Sequence, residues 1–287
     1  MPVVDRIDSV AVVGGGFMGS GIAEAVAVAG LPVVVCDVDQ AALERARERV
    51  DRSISRAVSG GKLDVAHAEV ARDRIELSSD LEVISDADLV VEAVPEDERL
   101  KLSVMEEINA KVSEAAIVAS NTSSIPIAEL ARVIDRPERV LGLHFFSPVP
   151  VMTLVEVVVA LDTSPAAVAC VKAFAEHIGK CPIETKDRSG FIVNMLLVPY
   201  LMAAVRMYED GFASREDIDT GMRLGCGHPM GPLSLCDLIG LDVLYAVCNS
   251  LYDEFKRDEY APPPLLKRMI ASGRLGRKSG RGFYEYG

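Results

Sequence analysis

Several features that assign a chain to a common class of protein are missing from these 287 residues. No basic segment precedes an apolar run at the N-terminus, as a secretory signal would require. The longest apolar stretch without a charge, 189–205, is interrupted by Asn194 and Pro199 and is short for a membrane span. We therefore expect neither a secretory signal nor a membrane segment.

Patterns typical of metal sites and of nucleic-acid binding are also lacking. The six cysteines form no C-x-x-C pair, and neither they nor the four dispersed histidines show metal-ligand spacing. A formal net charge of −13 disfavours nucleic acid and anionic membrane as partners. The composition, with 49% hydrophobic residues, predicts a globular cytoplasmic protein with buried thiols and without a metal.

A glycine-rich turn close to the N-terminus is the most informative feature that is present. Gly14, Gly16 and Gly19 fit G-x-G-x-x-G between a predicted buried strand and a predicted helix that includes Phe17 and Met18. The first glycine permits a tight turn, the second lets the backbone approach a pyrophosphate, and the third lets helix pack on strand. The free N–H groups at the helix start bind phosphate. The pattern predicts a dinucleotide site.

Asp37 decides which dinucleotide is expected. It ends a second apolar run, 18 residues after Gly19, where a carboxylate accepts both adenosine ribose hydroxyls. Its charge repels a 2′-phosphate, and the next residues include no arginine, so we expect NAD rather than NADP. The alternative is a glycine turn of another α/β protein with Asp37 as a helix cap, although Asp39 is the better cap candidate.

Strand-like and helix-like segments alternate along the first two-thirds of the chain, which predicts a mostly parallel sheet with crossover helices. Strands are expected at 8–13, 32–37, 74–77, 87–92, 116–120, 140–144, 153–159 and 181–185. After a polar hinge at 186–190 the pattern becomes helical, with helices expected at 190–209, 214–224, 232–257 and 262–272. The fold class is therefore α/β, a Rossmann-type sheet in domain 1–187 followed by a smaller all-α C-terminal domain, 188–287. Such an apolar helical domain commonly packs against a twin copy, so we expect a homodimer.

The segment 39–72 predicts a helical hairpin broken at 59–61. Its first arm carries five arginines interleaved with acidic residues: Arg45, Arg47, Arg49, Arg52 and Arg56. One interpretation is a solvated face with i,i+4 ion pairs such as Glu48 to Arg52. The other is a docking face for a phosphorylated ligand.

Hydroxyl side chains follow the predicted strand 116–119, at the carboxyl edge of the sheet where ligands bind. Ser123 belongs to this segment, and Ser124 is a candidate N-cap for the helix after Pro126. His144 ends another strand of the sheet, and a lone histidine there is more often structural.

Glu156 changes that expectation for His144. It lies twelve residues further on in an apolar run, where an unpaired buried carboxylate would cost several kcal/mol. His144 is its best candidate partner, and an imidazole held by a carboxylate exchanges protons near neutrality. Asn194, the one polar residue of 191–197, is either a second functional group or a helix-to-helix hydrogen bond.

Several longer motifs together resemble the L-3-hydroxyacyl-CoA dehydrogenase family, of the bacterial 3-hydroxybutyryl-CoA dehydrogenase type. They lie at 12–19, 120–124, 142–152, 190–194, 227–232 and 275–284. The resemblance covers nearly the whole chain. It implies NAD-dependent oxidation of a short-chain (3S)-3-hydroxyacyl-CoA thioester to 3-oxoacyl-CoA, or the reverse. It implies His144 as general acid/base, Glu156 as its orienting partner, and Ser123 and Asn194 as donors to the reacting oxygen.

The resemblance also implies contacts with the cofactor and with coenzyme A. Cofactor contacts are expected at Gly14, Gly16, Phe17, Met18, Gly19, Asp37, Glu96, Lys101, Ser123 and Ser147, and substrate contacts at Ser53, Lys62, Ser123 and Asn194. Two positions depart from the family: Ser147 replaces an asparagine, and Gly60 stands where relatives often have a lysine that contacts coenzyme A. The second departure leaves open a carrier-protein-bound or free hydroxy acid as substrate. A non-catalytic NAD-binding protein is the alternative from another class.

Overall fold

The structure is a computed structural model that describes residue 4 and residues 6–287; the expectation about a leader falls partly on residues outside this set. Two compact units divide the chain, Met1–Asp187 and Arg188–Gly287. The first unit is a sheet flanked by helices and the second is helical, which confirms the predicted fold class.

The first unit alternates strands and helices. Its elements are β1 (Val10–Val13), α1 (Phe17–Val28), β2 (Val33–Cys36), α2 (Gln40–Ser59), α3 (Val65–Asp73), β3 (Ile75–Ser78), β4 (Leu89–Glu92), α4 (Glu98–Asn109), β5 (Ile117–Ser120), α5 (Ile127–Ala131), β6 (Val140–Phe145), β7 (Leu154–Val159), α6 (Pro165–His177) and β8 (Cys181–Lys186). Short 3₁₀ turns lie at Leu81–Asp86 and Pro137–Arg139.

The eight strands form one sheet in the order β3-β2-β1-β4-β5-β6-β7-β8. Among the described strand pairs, β6–β7 alone is antiparallel, so the prediction of a mostly parallel sheet is confirmed. The order reverses between β1 and β4, and such switch points bind ligands at the carboxyl ends of the strands. The glycine turn that follows β1 lies at this point.

Burial explains the mostly apolar composition of the central strands, in which Glu92 and Ser120 are the polar exceptions. Every residue of β1, β4 and β5 is buried, as expected where helices cover both faces of a parallel sheet. The predicted hairpin is present as α2 and α3. Asp39 caps α2, since its Oδ1 accepts the Ala42 N–H at 2.7 Å, which confirms the expected cap.

The second unit contains α7 (Val193–Glu209), α8 (Arg215–Gly225), α9 (Pro232–Ile239), α10 (Leu241–Phe255) and α11 (Pro264–Ala271), with a 3₁₀ turn at Arg277–Ser279. The single helix expected over 232–257 is wrong. Gly240, with φ +101°, ends α9, and α10 leaves at 97°. Across the described residues, no single helix is long and apolar enough to span a membrane; α9 and α10 meet that length and composition only as this bent pair.

Candidate active site

The antiparallel register of β6 and β7 joins His144 to Glu156. The two residues lie directly opposite each other, and His144 Nδ1 is 2.7 Å from Glu156 Oε2. Both are buried, with 5% of His144 and none of Glu156 exposed. His144 and Glu156, twelve residues apart in sequence, are therefore in side-chain contact, because the chain turns back after β6 and places them opposite each other on neighbouring strands.

The second ring nitrogen of His144 faces Ser123. Ser123 Oγ lies 3.2 Å from Nε2, in the segment that follows β5. Since an ionised carboxylate only accepts, Glu156 fixes the neutral imidazole with its proton on Nδ1, and Nε2 is then the basic nitrogen. The arrangement can take a proton at Nε2 and stabilise the resulting positive charge through Glu156.

Glu96 holds the segment that carries Ser123. Its Oε1 accepts the backbone N–H of Ser123 at 2.9 Å and of Ser124 at 3.1 Å, and the Thr122 hydroxyl at 2.6 Å. Burial would raise the pKa of Glu96, but the charge of Lys101 and these hydrogen bonds hold it below its ordinary value. Glu96 is thus an anion that fixes the backbone next to His144.

Lys101 is buried with Glu92, a residue that the sequence analysis did not single out. Its Nζ lies 2.7 Å from Glu92 Oε1, donates to the Val94 carbonyl at 3.1 Å, and lies 3.4 Å from Glu96 Oε2. Lys101 is 1% exposed and Glu92 fully buried. Glu92 Oε2 also accepts the Ser120 hydroxyl at 2.5 Å. The three ammonium protons have partners within the protein, and direct contact of Lys101 with the cofactor stays a prediction.

The glycine turn fits the pyrophosphate of a dinucleotide. A Cβ on Gly14 would lie 2.7 Å from the Ala93 carbonyl oxygen, and one on Gly19 would lie 1.8 Å from that of Gly14. A Cβ on Gly16, by contrast, would meet open space. Gly16 is the N-cap of α1, and none of the described side chains caps this helix, so its first N–H groups remain for a phosphate. Phe17 is exposed at this helix start.

Asp37 keeps lone pairs for the adenosine ribose. Its Oδ2 accepts the Gly15 N–H and its Oδ1 the Val38 N–H, each at 2.7 Å. Because each carboxylate oxygen accepts two hydrogen bonds, both can still receive a ribose hydroxyl. Arg49 of α2 donates to the Gly15 carbonyl at 3.1 Å. Arg49 is twelve residues beyond Asp37 in the sequence, and only the packing of α2 brings it to the turn, so no local pattern after Asp37 predicts it.

Ser147 is exposed in the turn that follows β6, and the buried Lys180 forms hydrogen bonds with the backbone of that turn. The Lys180 ammonium donates to the carbonyls of Val149, at 2.5 Å, and Met152, at 2.9 Å. Burial lowers the pKa of Lys180, which the charge of Glu24 partly offsets. The turn that carries Ser147, an expected cofactor contact, is therefore fixed by a cation inside the first unit.

Two of the expected substrate contacts, Ser53 and Lys62, belong to the helical hairpin and are distant in sequence from His144. Ser53 of α2 donates its hydroxyl to Glu24 Oε1 at 2.9 Å. Burial raises the pKa of Glu24 to about 7. Lys62 is exposed in the turn between α2 and α3. In the second unit, Asn194 occupies the first turn of α7 and is half-buried.

The candidate cap at Ser124 is not formed. Pro126 rather than Ser124 is the N-cap of α5, and Asp187 satisfies the helix start: its two oxygens accept the N–H groups of Ile127 and Ala128, each at 2.8 Å. The cap comes from 60 residues further along the chain, so no local pattern predicts it. Glu92, in contrast, ends an apolar run in the sequence, much as Glu156 interrupts one. The argument that a buried carboxylate requires a partner would therefore have identified Glu92 as well.

Comparisons with known proteins agree over the whole chain. The profile of the 3-hydroxyacyl-CoA dehydrogenase NAD binding domain matches residues 9–188, and that of the C-terminal domain matches 190–286. A 3-hydroxybutyryl-CoA dehydrogenase of Mycobacterium tuberculosis is 50% identical over 284 residues, which cover 98% of this chain and 99% of that protein.

Solved structures show the same relationship. The crystal structure of (S)-3-hydroxybutyryl-CoA dehydrogenase PaaH1 from Ralstonia eutropha superposes with a TM-score of 0.94 at 45% identity, covering 98% of this chain and 100% of that one. A diketoreductase structure gives 0.88 at 35% identity, covering 99% and 100%. The glycine turn and Asp37 suit the cofactor that the matched domain binds, and this chain is an NAD-dependent enzyme that belongs to the 3-hydroxyacyl-CoA dehydrogenase family.

Proposed function

We propose that this protein interconverts (3S)-3-hydroxyacyl-CoA and 3-oxoacyl-CoA, with His144 as the general acid/base. The observation that carries the proposal is the buried imidazole held by Glu156 on one side and facing Ser123 on the other. The relatives named for 3-hydroxybutyryl-CoA support a short acyl chain.

When bound at the glycine turn, NAD would supply the acceptor for the hydride of the carbon that bears the substrate hydroxyl. During oxidation, His144 Nε2 takes the hydroxyl proton, and Glu156 stabilises the imidazolium through Nδ1. During reduction, the imidazolium returns this proton to the oxygen. Ser123 donates a hydrogen bond to the same oxygen where negative charge develops, and the resemblance implies this role for Asn194 as well. Fixing the Ser123 backbone through Glu96 reduces the reorganisation that this step requires.

The two units have separate roles in this proposal. Domain 1–187 binds NAD, with Ser147 and the glycine turn on the cofactor, and domain 188–287 supplies Asn194 and the contact between copies. A homodimer is supported by an apolar groove of about 610 Å³ in the second unit, beside Leu196, which is 72% exposed, and Leu238, which is 50% exposed. We place the enzyme in the cytoplasm, in keeping with its six free cysteines.

The decisive experiment is NADH oxidation with acetoacetyl-CoA by the wild type and by His144→Gln. Loss of the acid/base group should lower kcat by about 10²- to 10⁴-fold, while NADH binding is retained. His67→Gln, which changes an exposed histidine of α3, is the matched control and should keep full activity. An unimpaired His144→Gln enzyme, or an inactive wild type, would end the proposal.

A second candidate keeps the chemistry and changes the carrier. The similarity to a diketoreductase and the glycine at position 60 favour testing free dicarbonyl and hydroxy acids, and carrier-protein thioesters, beside the CoA thioester. A higher kcat/KM for a free acid than for acetoacetyl-CoA would select this candidate. A non-catalytic role is disfavoured by the assembled His144, Glu156 and Ser123.

A further inference from the structure

Lys180 is a buried cation that forms no ion pair. Its residue is 9% exposed, and it belongs to none of the ion pairs in the part of the chain that the structure describes. The charge of Glu24 acts on the ammonium from further away, and burial still lowers the pKa of Lys180. Because an unpaired buried charge is costly, the contacts that Lys180 does make require an explanation.

Those contacts are with the turn that joins β6 to β7, which we call the β6–β7 turn and define as residues 146–153. The ammonium donates to the carbonyls of Val149 and Met152. The next residue adds a third bond, since the Cys181 N–H donates to the Thr153 carbonyl at 2.7 Å. Two consecutive residues that lead into β8 therefore hold three carbonyl groups of one turn.

The end of α6 gives Lys180 a defined position. Gly179, with φ +74°, follows this helix in the left-handed conformation, and the Lys180 N–H donates to the Ala175 carbonyl at 2.8 Å. From the other side, α1 approaches the β6–β7 turn directly, because a Cβ on Gly21 would lie only 3.0 Å from the Cβ of Val149. The turn is thus held between α1 and the ammonium of Lys180.

The strand order places the β6–β7 turn on the nicotinamide side of the cofactor site. Asp37, which follows β2, and the end of β6 lie on opposite sides of the switch point between β1 and β4. A dinucleotide with its adenosine ribose at Asp37 and its pyrophosphate at the glycine turn extends its nicotinamide toward β4, β5 and β6. The β6–β7 turn also begins beside the imidazole, since the rings of Phe146 and His144 are 4.7 Å apart.

We propose that Lys180 is a positioning residue for the nicotinamide half of the cofactor. It holds the β6–β7 turn, and with it Ser147 and Phe146, in the place from which the turn contacts the nicotinamide. Lys180 acts through the backbone of this turn, to which its ammonium is bonded. The inference deepens the proposed function and rests on it, because hydride transfer there requires the nicotinamide to be held beside His144.

The test compares Lys180→Met with Lys172→Met, which removes a lysine of α6 that pairs with Glu184 at 3.4 Å. Calorimetric titration of each protein with NADH and with ADP-ribose separates the two halves of the cofactor, since ADP-ribose lacks the nicotinamide. Lys180→Met should bind NADH about tenfold more weakly, because the turn loses two charge-assisted hydrogen bonds. Its affinity for ADP-ribose should be unchanged, since the glycine turn and Asp37 are intact. The control should bind both ligands as the wild type does.

Two results would overturn the proposal. An equal loss of affinity for NADH and ADP-ribose would show that Lys180 supports the first unit as a whole, and unchanged NADH binding would show that the nicotinamide does not depend on it. If Lys180→Met does not fold, Lys180→Gln, whose amide still donates to one carbonyl, decides between the same outcomes, with a loss of about threefold expected for NADH alone. A wild type that turns over no thioester would refute the proposed function, while these titrations need no turnover and still decide the role of Lys180.

Discussion

Replacing Glu92 by glutamine should destabilise the protein, because the Lys101 ammonium, which is 1% exposed, loses the carboxylate 2.7 Å away and keeps only Glu96 at 3.4 Å. Removing one partner of a buried ion pair costs about 3–5 kcal/mol of unfolding free energy. Lys101→Met should cost a similar amount, since it strands the fully buried carboxylate of Glu92. Glutamine keeps one acceptor oxygen for the Val94 N–H and turns its amide N–H₂ toward Ser120, whose hydroxyl can rotate to accept, so the loss of charge dominates the result.

The double variant, Glu92→Gln/Lys101→Met, should recover most of that stability. Neither charge then remains buried, and replacing a whole buried pair is often neutral. We expect it within about 2 kcal/mol of the wild type; because each single replacement costs about 3–5 kcal/mol, the double-mutant cycle then gives an interaction energy of at least about 4 kcal/mol. Urea unfolding followed by circular dichroism measures all four proteins.

Activity of the double variant separates stability from positioning. Without Lys101, Glu96 loses the cation 3.4 Å from its Oε2, and the segment that carries Ser123 loses one support. We therefore expect kcat with acetoacetyl-CoA to fall about tenfold, equivalent to 1.4 kcal/mol of transition-state stabilisation, with a smaller change in the KM for NADH. This account of the pair would be refuted if each single replacement lowered the unfolding free energy by less than about 1 kcal/mol and the two losses were additive. A double variant with wild-type kcat would also refute it.

The pairing of His144 with Glu156 follows from the sequence because burial of a charge is costly wherever it occurs. An isolated carboxylate in Thr-Leu-Val-Glu-Val-Val-Val requires a partner, and a histidine at the end of a strand supplies one. That reasoning needs neither the strand order nor the register. The antiparallel register of β6 and β7 only shows how the two side chains meet.

Contacts between distant elements could not be predicted in this way. Arg49 approaches Gly15 only because α2 packs beside the glycine turn, and Asp187 caps α5 across 60 residues. The break at Gly240 was also missed, because a glycine within an apolar periodic segment is compatible with a continuous helix. Propensity and periodicity describe local conformation, whereas these features depend on the packing of separate elements.

Two substitutions test the glycine turn and the buried acid of α1. Gly19→Ala places a Cβ 1.8 Å from the Gly14 carbonyl oxygen, so it should abolish NADH binding in a fluorescence titration; Gly221→Ala, in open space within α8, should instead stabilise the protein by about 0.5–1 kcal/mol. Glu24 has a folded-state pKa raised from 4.5 to about 7, so the stability that its protonated form contributes is complete below pH 4.5 and is lost as the pH rises through 7. Glutamine does not titrate, and Glu24→Gln should therefore gain about 2–3 kcal/mol of unfolding free energy relative to the wild type between pH 5 and pH 8. Parallel stability profiles of the two proteins over this range would show that Glu24 ionises normally in the folded state, contrary to its burial beside Ser53.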